Sequence, residues 1–138
     1  MQSKEIIYVS GPITGRPEEE YRMHFEKVEH RLIREGYEVI NPVKISDACP
    51  KSYTHSQYLK VELPFIETAQ AIYMLEGWEK SKGARWELKK AIELNLEIRT
   101  EHQDIKNQKE VAITDHSIFL SEWYDEEGKK HIGDRKSE

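Results

Sequence analysis

The sequence predicts an α/β fold: an open parallel sheet flanked by helices, in a single domain. Short, mostly apolar runs alternate with longer stretches of helical period, the alternation that builds such a sheet through right-handed crossovers. The runs are too uniformly apolar for half-exposed strands and suit strands buried on both faces. Each of the first three ends in a turn containing glycine, proline or asparagine, which stops a strand. The chain has 138 residues, the length of one domain with a core of its own. The domain is expected to span residues 1–124, with 125–138 as a polar, solvated tail.

The elements follow in order. "IIYV" (Ile6–Val9) is the first strand and runs into a Ser-Gly-Pro turn. In "RPEEEYRMHFEKVEHRLIREG", Tyr21, Phe25, Val28, Leu32 and Ile33 recur at three- and four-residue steps. Pro17 stands where a first helical turn tolerates proline, glutamates follow near the positive end of the dipole, and Gly36 stops the helix. "YEVINP" is a second strand ended by Asn41-Pro42, and residues 43–55 read as a long polar loop. A helix from about Ser56 to Thr68 turns Leu59, Leu63 and Ile66 inward, with Pro64 expected to kink or interrupt it. "AIYMLEGW" is a third strand, "SKGARWELKKAIELN" a third helix and "LEIRT" a short fourth strand. Residues 111–124, "VAITDHSIFLSEWY", carry apolar side chains without a sustained period. They are expected to pack across a subunit boundary or over the pocket.

Net charge is −5, with 34% charged residues. An acidic balance argues against a broad nucleic-acid footprint, which needs a basic face. The single cysteine, Cys49, excludes an internal disulfide, and it lacks the basic neighbours that activate a thiolate. No signal peptide and no membrane-length apolar run is present, so the expected compartment is the cytoplasm. No metal site and no cofactor is expected.

Ligands of open α/β sheets bind beyond the carboxyl ends of the strands. The turns there read "SGPITGR", "NPVKISD" and "EGWEKSKG". The first and third are rich in glycine and small hydroxyl residues, which lets backbone N–H groups approach a ligand. "GPITG" has neither P-loop nor dinucleotide-fingerprint spacing, and taken alone its composition favours a plain strand-ending turn over a ligand loop. In the following helix Ala84, Leu88, Ala91 and Ile92 mark the buried stripe, and Glu87 falls on its border. Glu87 is either a flanking charge paired with a lysine or an oriented carboxylate at the sheet edge.

Three segments, "IYVSGPITG", "EGYEVINP" and "AIYMLEGWEKSKGARWEL", resemble the nucleoside 2-deoxyribosyltransferase-like superfamily, in particular its small bacterial and phage branch. The resemblance covers residues 5 to about 100 and implies a flavodoxin-like sheet. It places the family's strand-end aromatic and glycine loop on Tyr8, Gly11 and Gly15. A sugar- or base-holding carboxylate falls on Glu62, and the Ser-x-Gly-x-x-x-Glu loop–helix on Ser81, Gly83 and the nucleophile Glu87. Tyr8 is then expected to aim Glu87, and Glu62 (with Glu79 behind it) to orient the nucleophile or protonate the base. Substrate contacts are expected from Ser10, Gly11, Pro12, Gly15, Arg16, Trp78, Ser81 and Gly83. Trp78 is read either as a base-stacking ring or as a cover for the sheet edge. Glu62 stands where the pattern more often has aspartate. Pro12 replaces a serine that holds a 5′-phosphate in nucleotide-hydrolysing relatives, leaving Arg16, Ser81 and Lys82 as phosphate partners.

The implied chemistry is cleavage or transfer of the N-glycosidic bond of a (deoxy)nucleoside or nucleotide through a covalent glycosyl intermediate. The alternative is a non-catalytic module holding a nucleotide or NAD-derived ligand. The resemblance also implies a homo-oligomer. The partner is thus a small-molecule nucleoside or nucleotide, with no nucleic acid and no membrane.

Overall fold

Parity along the first strand sets up the whole molecule. In β1 (Ile6–Ser10) the odd positions Ile7 and Val9 join one buried cluster and the even position Tyr8 joins another, so both faces of the strand are covered. The computed structural model describes residues 4–106, together with the backbone of 122–124 and 130–132. The chain divides into two compact units, Met1–Arg99 and Thr100–Glu138.

In the first unit the order is β1, α1 (Glu18–Arg34), β2 (Glu38–Ile40), α2 (Pro42–Asp47), α3 (His55–Thr68) and β3 (Ala71–Met74). A single 3-10 turn (Trp78–Lys80), α4 (Lys82–Glu93) and β4 (Glu97–Thr100) follow. The sheet runs β2-β1-β3-β4. β1 pairs parallel with β2 (Tyr8 opposite Ile40) and with β3 (Tyr8 opposite Ile72). β4 joins with its start beside that of β3, where the Glu97 N–H donates to the Gln70 carbonyl. The α/β architecture and the open parallel, flavodoxin-like sheet follow the sequence prediction. Because the chain leaves β1 for one neighbour and later returns to the other, the carboxyl end of β1 is a topological switch point.

One layer is α1, whose Phe25, Val28 and Leu32 pack on Ile7, Val9, Ala71, Tyr73 and Leu75. On the opposite face, Ile66 of α3 and Ala84 and Ala91 of α4 pack on Tyr8, Ile72 and Met74. Two apolar positions assigned to helix stripes lie outside them: Ile33 is 46% exposed and Ile92 59%. Each sits beside a residue that takes the inward place, Leu32 and Ala91 respectively.

The segment read as a loop after Asn41 holds a helix instead. The Asn41 side chain accepts from the Val43 N–H, and Pro42 occupies the first turn, a cap-and-proline start that residue types alone announce. At six residues α2 is too short for a period to show. Contrary to the expected break, α3 runs unbroken through Pro64. Lys60 and Pro64 are both exposed, so the carbonyl that the ring leaves without a donor belongs to the solvent-facing side of the helix.

In the second unit β5 (Glu122–Tyr124) pairs antiparallel with β6 (Lys130–Ile132). β6 falls in the stretch read as a polar tail; three residues are too few to display a strand pattern. The expectation for residues 111–121 lies outside the described residues. Among the described residues no helix is long and apolar enough to cross a membrane.

Candidate functional site

The even-numbered face of β1 carries Tyr8 and then Ser10 toward α4, both fully buried. On α4, Ala84, Glu87 and Ala91 recur at three- and four-residue steps and are all buried, so Glu87 sits in the middle of the inward stripe rather than on its border. At 5% exposure it is the acidic residue placed where an alanine would otherwise pack. The two elements meet through side chains: the Tyr8 hydroxyl donates to Glu87 Oε2 at 2.5 Å and the Ser10 hydroxyl donates to Oε1 at 2.6 Å. Each carboxylate oxygen thus receives one charge-assisted hydrogen bond, which fixes its plane.

Glu62, from the half-buried face of α3, adjoins this group. Burial first, then repulsion from Glu87, pushes its carboxyl up to about 9. Burial also pushes Glu87 above the ordinary carboxylate range, while hydrogen-bonding neighbours Glu62, Ser10 and Tyr8 draw it back. Tyr8 is raised well above a free tyrosine by burial and by the two adjacent acids. Two carboxyls so close cannot both ionise cheaply. With two hydroxyls donating to Glu87, the negative charge belongs there and the shared proton on Glu62. Neutral Glu62 is then a proton donor, and Glu87 an aimed, partly desolvated carboxylate.

The pair forms the floor of a cavity of about 600 Å³ lined by the turn after β1, by α2, by α3 and by the start of α4. Gly11 contributes backbone there because nothing larger fits: a Cβ on it would lie 2.8 Å from Leu75 Cβ. Ser81 caps α4, accepting from the Ala84 N–H at 3.1 Å, so its hydroxyl is already engaged. Lys80 and Lys82 line the wall beside it. Among the described residues no group of His, Cys, Asp and Glu side chains is placed to hold a metal ion.

The structure therefore brings together Tyr8, Ser10, Glu62 and Glu87, with Gly11, Ser81 and Gly83 on the cavity wall. Ser10, nominated for substrate contact, is instead buried behind Glu87. Pro12, Gly15, Arg16 and Trp78 do not line the cavity. Arg16 is committed to its own loop and helix, donating to the Pro12 carbonyl (3.1 Å) and to Glu20 (3.2 Å). Gly15 has φ +87°, which marks it as a turn residue. Trp78, half-buried, packs against the cluster that contains Tyr8, Ile72 and Met74. Glu79 is exposed and outside the cavity.

Thr14, His55 and Tyr58, which the sequence did not single out, also line the cavity, as does Leu59, expected to turn inward. The signal was present: His55, Tyr58, Leu59 and Glu62 are spaced i, i+3, i+4, i+7, one face of one helix. The apolar residues Leu59, Leu63 and Ile66 mark the helix more strongly than its His55 and Tyr58 start.

A search among curated proteins finds no match. Against protein families, residues 5–100 match DUF4406, a domain of unknown function. That span contains the whole four-stranded sheet and every residue of the acid pair's surroundings, and the chain is a member of the DUF4406 family.

Proposed function

We propose that this protein cleaves or transfers the N-glycosidic bond of a (deoxy)nucleoside or nucleotide, with Glu87 as nucleophile. The observation that carries the reading is the Glu87 carboxylate, buried, held by the hydroxyls of Tyr8 and Ser10, and set beside Glu62 at the floor of a cavity, where burial and Glu87 favour the protonated form of Glu62. The resemblance of the three motif segments to the nucleoside 2-deoxyribosyltransferase-like superfamily supports it, since its catalytic glutamate, its sugar- or base-holding carboxylate and its strand-end aromatic fall on Glu87, Glu62 and Tyr8.

In the first half-reaction a Glu87 oxygen attacks the anomeric carbon as the carbon–nitrogen bond breaks, and Glu62 gives its proton to the departing base. A glycosyl ester of Glu87 and a Glu62 carboxylate remain. In the second half, water or an incoming base attacks the same carbon and passes a proton to Glu62, which frees Glu87 and restores the starting state. Two inversions give net retention. Tyr8 and Ser10 hold the carboxylate plane through both steps.

The test is incubation of the wild-type protein and of Glu87→Gln with deoxynucleosides, their monophosphates and NAD, monitoring free base. Wild type is expected to release base and the variant, which cannot form the ester, to release none. Turnover retained by a folded Glu87→Gln protein would remove Glu87 as nucleophile. Tight binding without release by the wild type would assign the cavity to a nucleotide-binding module instead.

A further inference from the structure

We infer that Tyr58 is the surface on which the planar base of the substrate stacks, a conclusion that rests on the N-glycoside reading above. α3 turns the face of His55, Tyr58, Leu59 and Glu62 to the cavity. Residues four apart on a helix stand roughly 5–6 Å from one another, so the Tyr58 ring lies one turn from the Glu62 carboxyl. The scissile bond joins the anomeric carbon to a ring nitrogen, so the base must lie close both to the nucleophile and to the acid that protonates it. Tyr58 sits where both conditions meet. Among the described lining residues it supplies the one phenol ring, and Ile13 and Leu59 add apolar wall.

The ring is also fixed in place. Its hydroxyl donates to the Pro50 carbonyl at 3.3 Å, and Tyr53 meets it edge-on with centroids 5.7 Å apart and planes at 63°. With its hydroxyl tied to the protein, Tyr58 offers a ligand its ring rather than a polar contact. A ring immobilised before the ligand arrives loses little rotamer freedom on binding. Trp78, the other aromatic considered for this role, packs half-buried against the core cluster and does not line the cavity.

The test pairs turnover with binding on the full chain. Tyr58→Ala and the bulkier Tyr58→Leu are expected to raise KM for base release roughly tenfold or more, with kcat changed less than about threefold, as loss of a stacking face predicts. Tyr58→Phe, which keeps the ring, is expected to stay within about threefold of wild type in KM. Calorimetric titration with free adenine and free cytosine should show the same order of affinities, which needs no catalysis. Wild-type KM and wild-type base affinity in both ring-less variants would overturn the inference while leaving the glycosidic reading intact. Weakened base binding in those variants, alongside a wild type that releases no base from any substrate, would sustain Tyr58 and sink the reading. A Tyr58→Phe protein as impaired as Tyr58→Ala would assign the effect to the hydroxyl bond with Pro50 and refute stacking. Circular dichroism and melting of Tyr58→Leu control for the fold.

Discussion

Replacing Glu62 by glutamine should flatten the dependence of stability on pH. Glu62 has an ordinary carboxyl value of 4.5 when unfolded and about 9 in the folded protein. A folded value above the unfolded one means that the native state binds the proton more tightly. The stabilisation is therefore complete below about 4.5 and is lost as pH climbs toward 9. One full proton corresponds to about 1.36 kcal/mol per pH unit, hence about 2.7 kcal/mol between pH 6 and 8. Glu62 is only partly buried and shares its proton with Glu87, so roughly half of that, on the order of 1–2 kcal/mol, is the expected change. Glutamine carries no titrating proton, and without a like-charged neighbour Glu87 stays ionised on its two hydroxyl donors. Urea unfolding of wild type and Glu62→Gln at half-unit steps from pH 6 to 8 measures the difference between the two slopes, in which all shared titrations cancel. Wild type should lose stability relative to the variant as pH rises. Parallel curves, or a variant that loses stability faster, would show that Glu62 carries no proton in this range and would remove it as the acid.

Base release should fall as pH rises through about 9, where Glu62 gives up the proton the leaving base needs, and this alkaline limb should be absent in Glu62→Gln, whose overall rate is lower by roughly 10²–10⁴. Tyr8→Phe deletes one of the two hydroxyl hydrogen bonds to the Glu87 carboxylate; at about 1.5–3 kcal/mol for a bond to a charged group, single-turnover rates should drop by roughly 10- to 100-fold. Gly11→Ala drives a methyl into Leu75 at 2.8 Å, and chemical denaturation should show a loss of about 1–3 kcal/mol. Asn41→Ala removes the cap of α2 and a hydrogen bond to buried Glu29, with an expected cost of about 1–2 kcal/mol in the same assay.

The sheet was legible because its strands are short, apolar and separated by helical periods, and each period fixed its helix to within a few residues. Glu87, Tyr8 and Glu62 were legible as chemical types at recognisable spacings. What a linear reading misses is decided by neighbours far along the chain. Ile33 and Ile92 have the right residue type for a stripe, but only packing decides which of two adjacent apolar residues turns inward. Ser10 looked like a turn residue because nothing in its vicinity shows that it ends a strand 77 residues before its partner. Trp78 was open between two roles for the same reason, and it packs half-buried against the core, outside the cavity lining. Tyr58 and His55 were visible only to a reader who ran the helical period backward from Glu62 instead of forward from the apolar residues.

The distance in sequence between the hydroxyls and their acceptor has a consequence for how the chain is made. Tyr8 and Ser10 leave the ribosome early, and Glu87 follows 79 residues after Tyr8. At roughly 5–20 residues per second that is a delay of about 4 to 16 seconds. During it β1 can pair with β2, collect α1 and then receive α3 with Glu62, yet the face bearing the two hydroxyls still lacks α4 and the Glu87 carboxylate that accepts from both. Burying those donors without that acceptor would cost about 1–3 kcal/mol each, which weighs against closing that side early. The same bonds that aim the nucleophile thus favour completing the second layer only once the segment carrying Glu87 has arrived.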